Sequence, residues 1–309
     1  MSVLSSLSLS ELHERFRHES QILKNITKQT ERFYYYGLHT LYKFKKFDHV
    51  SQIDESELIA YFFWGREERK WSPHTMSVRY KSLNTFFKWC IQKQVIRQNP
   101  LENIPKPRLP QRQPKALSKS DATKIYEYVQ LLPLPQYYKN PMYEKRLDVA
   151  IIATYLFTGV RLNELLNLKM EHVNLEEKLI TVIEGKGMKD RIVPIPFELN
   201  RVLRNFIEER EKSGIICSYF FTSQKYQQKL SISKIKRLVK RIKDGTGIDF
   251  CIHKLRHTFA TLMIESKCDL YSLSKMLGHS DVKTTQIYLS ASSLHLKKQA
   301  DLHPLNYLN

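Results

Sequence analysis

The sequence HKLRH at residues 253–257 brings two histidines and an arginine close together. On a helix, residues three or four apart share a face, so these side chains can act on one group. Two histidines at this spacing can hold zinc, but zinc proteases place a glutamate directly after the first histidine, where this chain has Lys254. An arginine fork beside a histidine instead suits the oxygens of a phosphate. The segment therefore favours phosphate chemistry over metal binding.

Three further segments carry residues of matching chemistry. In TGVRLNELLNL (158–168), Arg161 follows a glycine and Glu164 lies one turn further on, where the two could also form a simple ion pair. In EGKGMKDR (184–191), Lys186 lies at the tip of a predicted hairpin. In LGHSDVKTTQIYLS (277–290), Tyr288 follows His279 by nine residues. Together the segments supply cations for the oxygens of a phosphodiester and a hydroxyl that can attack its phosphorus.

The order and spacing of these four motifs resemble those of the tyrosine recombinases, or phage-type integrases, and in particular their Xer-like simple members. The resemblance implies a site-specific recombinase that cleaves and rejoins DNA through a covalent 3′-phosphotyrosyl intermediate and a Holliday junction. It assigns Arg161, Arg256 and His279 to hydrogen bonds with the phosphate oxygens, and Glu164 to a supporting role. It makes Tyr288 the nucleophile and His253 the base. It gives Lys186 the protonation of the departing 5′ oxygen.

The composition fits a nucleic-acid partner. The 309 residues carry a formal net charge of +19 at pH 7, which favours a polyanion. No apolar run approaches the roughly 20 residues of a spanning helix, and the chain does not begin like a signal peptide. We therefore expect a cytoplasmic, nucleoid-associated protein without a membrane partner. The resemblance further implies double-stranded DNA with inverted half-sites as the partner, a homotetramer on DNA and a monomer in free solution.

No cofactor or metal is expected. The segment GKGMKDR lacks the spacing and the Lys-Ser/Thr ending of a nucleotide-binding P-loop. The four cysteines are spaced too widely to indicate a zinc cluster or a disulfide framework.

A proline-rich segment divides the chain. Residues 99–114 read NPLENIPKPRLPQRQP, and five prolines in this segment oppose a regular helix. We predict a helical N-terminal core-binding domain over residues 1–105, a linker over 106–114 and a catalytic domain with a C-terminal tail over 115–309. The predicted fold class is two-domain and mainly α. By the resemblance, the first domain is SAM-like and the second is a mixed α+β tyrosine-recombinase domain with a small β-sheet.

Two alternative functions stay open at this stage. A type IB topoisomerase-like enzyme uses a similar residue set to relax DNA, and a non-catalytic DNA-binding protein can share the same scaffold. The sequence also leaves open the DNA target and the biological role, which can be integration or excision of a mobile element, inversion, or resolution of chromosome dimers. The tail after Tyr288 is expected to pack either on its own domain or on a neighbouring protomer.

Overall fold

The computed structural model describes residues 3–109, 116–133, 139–183, 190–225 and 227–291. The chain forms two compact units, residues 1–111 and 112–309. The predicted two-domain, mainly α layout is thereby confirmed. The end points that we predicted for the linker, 106 and 114, remain a prediction, because residues 110–115 lie outside the described part of the chain.

The first unit contains four described α-helices. They are α1 (Leu9–Leu23), α2 (Lys28–Phe44), α3 (Glu55–Glu67) and α4 (Pro73–Gln92). Each helix begins with a side chain that accepts a backbone N–H bond of the first turn, and these caps are Ser8, Thr27, Asp54 and Ser72. The predicted helix start at Ser72, with Pro73 in the first turn, is confirmed.

Helices α2 and α4 approach each other closely in this unit. A Cβ atom on Gly37 would lie 2.0 Å from the Ser82 Oγ, so the glycine permits the contact. The surrounding core is strongly aromatic, and the Phe16 and Phe86 rings meet edge to face at 5.5 Å. Large rings of this kind bury much apolar surface per residue, which suits a small helical unit.

The second unit is built around one central helix, whose C-terminal half is apolar. Its described helices are α5 (Lys119–Leu131), α6 (Pro141–Thr158), α7 (Leu162–Asn167), α8 (Phe197–Lys212), α9 (Ile232–Thr246), α10 (Ile252–Glu265), α11 (Leu270–Leu277) and α12 (Lys283–Ala291). The run VAIIATYLF (149–157) is apolar on all sides, so α6 is covered by its neighbours α5, α8 and α10. Within the described ranges, no helix is long and apolar enough to cross a membrane.

The predicted hairpin is present as part of a small antiparallel sheet. Strands β1 (Val173–Asn174), β2 (Leu179–Val182) and β3 (Arg191–Pro194) pair in the order β1-β2-β3, with Val182 opposite Arg191. Strands β4 (Thr222–Ser223) and β5 (Gln228–Lys229) form a second pair. Lys186 and the rest of the predicted turn, residues 184–189, lie outside the described part of the chain.

A buried ion network joins α9 to the central helix. The Lys234 Nζ lies 2.7 Å from the Glu144 carboxylate and 3.0 Å from the Asp148 carboxylate. The Arg241 guanidinium lies 3.0 Å from the second Asp148 oxygen. Burial alone would lower the pKa of Lys234, but the two carboxylates raise it. The network thus satisfies buried charges that would otherwise oppose folding.

Candidate active site

Three arginine side chains from other parts of the unit meet at the C-terminal end of α11. Its last carbonyl groups have no partner within the helix and carry partial negative charge. Three consecutive carbonyl oxygens accept the arginine bonds: Met276 from Arg191 at 2.9 Å, Leu277 from Arg256 at 2.7 Å and Gly278 from Arg161 at 2.8 Å. The helix end therefore holds three guanidinium groups in one cluster.

Glu164 balances part of this positive charge. Its carboxylate accepts two bonds from the Arg191 fork, at 3.0 and 2.7 Å, and two from Arg161, whose backbone N–H and guanidinium lie at 2.6 and 2.7 Å. Burial would raise the pKa of Glu164, but the hydrogen bonds from both arginines outweigh burial and lower it to about 2. Three guanidinium groups gathered in one place form a cluster that suits the oxygens of a phosphodiester.

Arg256 is the most deeply placed cation of the cluster, with 4% of its surface exposed. Its Nη1 donates to the Gly159 carbonyl oxygen at 2.7 Å. Gly159 ends α6 in the left-handed region, at φ +61°, where a Cβ would lie 2.4 Å from the Phe259 ring. Burial and the neighbouring Arg161 lower the pKa of Arg256 to about 10. A bound anion would offset the repulsion from Arg161 and stabilise the charged form of Arg256, so this environment favours anion binding.

His279 bridges the cluster and α12. Its Nε2 lies 3.1 Å from the Arg256 Nη2, and its Nδ1 lies 2.8 Å from the Thr285 hydroxyl oxygen. Because arginine can only donate, Nε2 accepts, and the ring proton is assigned to Nδ1. Burial and the charge of Arg256 and Arg161 lower the pKa of His279 to about 4. The ring is thus neutral at pH 7.

Tyr288 lies against a histidine that the sequence analysis did not assign. Its hydroxyl is 2.8 Å from the Nδ1 of His257, and only 2% of the residue is exposed. Burial raises the pKa of the Tyr288 phenol, although Arg256 partly opposes this rise. Burial, together with His253 and Arg256, lowers the pKa of His257 to about 4. At neutral pH the phenol is therefore protonated and the imidazole is neutral, and in the Nε2–H tautomer of His257 the phenol donates to Nδ1.

The structure brings together six of the seven residues predicted for the site. Four of them, Arg161, Glu164, Arg256 and His279, are linked by the hydrogen bonds above. The exposed His253 packs its ring 4.5 Å from that of His257, which in turn binds Tyr288. The seventh, Lys186, lies outside the described residues, so its place in the site remains a prediction.

Two residues of this constellation were missed by the sequence analysis. His257 was considered only as half of a metal pair and was dropped with that hypothesis. Arg191 belongs to the quoted segment EGKGMKDR but was given no role, although it shares a strand face with the buried Val193. An arginine on the buried face of a strand needs an acidic partner. That requirement is the sequence signal that points to Arg191 as a partner of Glu164.

Replacement of Arg191 by methionine is expected to destabilise the second unit. The Arg191 and Glu164 side chains are 8% and 9% exposed, so the substitution leaves a buried carboxylate without its bidentate partner. Removal of one member of a buried pair costs about 3–5 kcal/mol. Urea unfolding of Arg191→Met measures this loss. The exposed Arg204–Glu176 pair supplies a matched control, Arg204→Met, for which we expect a change of less than about 1 kcal/mol. Equal effects of the two substitutions would contradict the structural role given to Arg191.

Comparison with known proteins identifies the class. The profile of the "Phage integrase family" matches residues 117–295, and that of "Phage integrase, N-terminal SAM-like domain" matches residues 12–97. Tyrosine recombinase XerC of Caldanaerobacter subterraneus subsp. tengcongensis is 27% identical over 332 aligned positions, which cover 99% of this chain and 90% of that protein.

Two solved structures share the fold. XerH site-specific recombinase bound to a palindromic difH substrate, in a post-cleavage complex, superposes with a TM-score of 0.75 at 23% identity, covering 95% of this chain and 84% of that one. A lambda integrase tetramer bound to a Holliday junction gives a TM-score of 0.67 at 17% identity, covering 90% and 79%. Both of those recombinases are bound to DNA.

The chain belongs to the phage integrase family. The predicted resemblance to Xer-like tyrosine recombinases is thereby confirmed, and with it the predicted activity of a site-specific enzyme that breaks and rejoins DNA strands. These findings lend no support to the topoisomerase-like and non-catalytic alternatives.

Proposed function

We propose that this enzyme recombines double-stranded DNA at a site made of two inverted half-sites. It acts as a homotetramer on that DNA, assembles there from monomers and is located with the nucleoid in the cytoplasm. The observation that carries the proposal is the cluster of three arginines beside the buried hydroxyl of Tyr288. Guanidinium groups next to a buried hydroxyl are the arrangement that attack on a phosphodiester requires.

The arginines and histidines act on the scissile phosphate. Arg161 and Arg256 stabilise the negative charge that builds on its non-bridging oxygens during attack. Their guanidinium groups are already fixed by backbone carbonyls, so little reorganisation is needed when DNA binds. The phosphate charge raises the pKa of His279, which then donates to a phosphate oxygen. Glu164 orients Arg161 without contacting the substrate.

The remaining roles concern proton transfer and bond exchange. Tyr288 attacks the phosphorus, and the 3′-phosphotyrosyl bond that forms conserves the energy of the broken P–O5′ bond. Lys186 protonates the departing 5′ oxygen. The family resemblance gives His253 the task of accepting the phenolic proton. In this structure, however, His257 makes a hydrogen bond with the Tyr288 hydroxyl.

Capture of covalent complexes on genomic DNA tests the proposed function. The enzyme is incubated with DNA of its own source organism, the protein–DNA adducts are isolated, and the attached DNA ends are sequenced. We expect the ends to fall at one or a few loci, each flanked by inverted repeats, with both strands cut at a fixed stagger. Ends scattered evenly over the genome, accompanied by relaxation of supercoiled plasmids, would show a topoisomerase-like activity instead. Tyr288→Phe provides the background sample.

A further inference from the structure

We propose that His257 is a catalytic residue of this enzyme and accepts the proton that the Tyr288 hydroxyl loses during attack. The inference rests on the proposed function, since it assigns a proton transfer within the same reaction. It replaces the base role that family resemblance gives to His253.

The geometry places His257 at the reacting atom. The distance of 2.8 Å between the His257 Nδ1 and the Tyr288 hydroxyl oxygen lies within the range that a general base needs. The two residues come from different helices, α10 and α12, and their ring centroids lie 5.6 Å apart. Because Tyr288 is 2% exposed, bulk water has little access to it. His257 is therefore the acceptor that the protein itself supplies.

The charges around His257 favour an unprotonated resting ring. His253 and Arg256 on its own helix, together with burial, lower its pKa to about 4. The group that faces it from α12 is Tyr288 itself. A neutral ring whose proton is on Nε2 has its Nδ1 lone pair available at physiological pH. When the phosphate binds, its negative charge offsets that of Arg256 and raises the basicity of the ring.

The step balances without any further reactant. The proton moves from the Tyr288 oxygen to the His257 Nδ1 while the same oxygen forms a bond to the scissile phosphorus. The P–O5′ bond breaks, and the 5′ oxygen leaves as a hydroxyl after it takes a proton from Lys186. In the rejoining step the same transfers run in reverse, and imidazolium returns its proton to the tyrosine oxygen.

A more acidic nucleophile distinguishes the histidine that accepts the Tyr288 proton from other histidines of the site. Tyr288 is replaced by 3,5-difluorotyrosine, whose phenol loses its proton more readily and depends less on a base. Single-turnover cleavage of a nicked suicide substrate is then measured for wild type, His257→Leu and His253→Leu, each with and without the fluorinated residue. We expect His257→Leu to slow cleavage about 10²–10⁴-fold. The fluorinated residue should then raise the cleavage rate of this variant by about tenfold or more. We expect no comparable rescue of His253→Leu.

His257→Asn distinguishes a base from a positioning group. Its amide oxygen can accept the hydrogen bond of Tyr288, but it cannot hold a proton at neutral pH. We expect it to be nearly as slow as His257→Leu and to be rescued in the same way. Wild-type rates in His257→Asn, or rescue confined to His253→Leu, would overturn the inference. DNA affinity and thermal unfolding of each variant identify any loss that arises from misfolding. Absence of an adduct with the wild-type enzyme would instead refute the proposed function.

Discussion

Tyr288→Phe is expected to form no covalent adduct with a nicked suicide substrate, while its affinity for DNA changes by less than about twofold. The substitution removes only the hydroxyl that becomes joined to phosphorus. The ring remains packed in the cluster that includes Phe259, Leu273 and Leu277, so the fold of α12 is retained. One hydroxyl contributes little to an interface whose affinity comes from many phosphate contacts. The lost hydrogen bond to His257 costs about 1 kcal/mol of stability.

A second tyrosine provides the matched control for this loss. Tyr271 lies on the neighbouring helix α11 and is 62% exposed. The chain has 17 tyrosines, so the control must show that loss of another tyrosine hydroxyl does not prevent adduct formation. Tyr271→Phe should form the adduct at the wild-type rate. Adduct formation by Tyr288→Phe, or its loss in Tyr271→Phe, would contradict the assignment of the nucleophile.

Arg256→Ala is expected to slow single-turnover cleavage about 10²–10³-fold or more, as the loss of one preorganised donor to a developing oxyanion does elsewhere. The side chain is almost fully buried and joins the end of α6 to the end of α11. Its removal leaves the carbonyl groups of Gly159 and Leu277 without these bonds. A stability loss of about 1–3 kcal/mol for each buried acceptor should accompany the catalytic defect.

Two controls separate the catalytic and structural parts of this prediction. Arg256→Lys keeps the charge but loses the planar fork, and its cleavage rate should lie between those of wild type and Arg256→Ala. Arg201→Ala removes an arginine whose side chain is 50% exposed on α8 and should retain the wild-type cleavage rate. Rates are compared at saturating DNA and below the unfolding transition. A wild-type rate for Arg256→Ala under these conditions would exclude it from phosphate stabilisation.

The features that depend on local sequence were predictable. The start of α4 follows from Ser72 and Pro73, because capping and proline geometry act within one helical turn. The β2–β3 pair follows from two apolar runs around a glycine-rich turn. The convergence of Arg161, Arg256, His279 and Tyr288 could be predicted only from the resemblance, since these residues are spread over more than a hundred positions of the chain.

The features that depend on long-range packing were not predictable. No sequence rule places three arginines on consecutive carbonyls at the end of α11, because that arrangement depends on how the start of α7, helix α10 and strand β3 pack around the helix end. The contact of His257 with Tyr288 depends likewise on the packing of α10 against α12. From the sequence alone, two histidines four residues apart can be interpreted as a metal-binding pair or as structural residues, because the group that each one contacts is not known. The packing of the predicted tail stays a prediction, since residues 292–309 lie outside the described part of the chain.

The most direct test of the central claim is a peptide map of the covalent adduct. Wild-type enzyme is trapped on a nicked suicide substrate, the DNA is trimmed with nuclease, and the protein is digested with trypsin. Cleavage after Lys283 and Lys297 releases residues 284–297, TTQIYLSASSLHLK, which contain Tyr288 as their single tyrosine. We expect mass spectrometry to find the nucleotide on this peptide, joined through a 3′ phosphate to Tyr288. A nucleotide attached to any other peptide, or linked through a 5′ phosphate, would contradict the account.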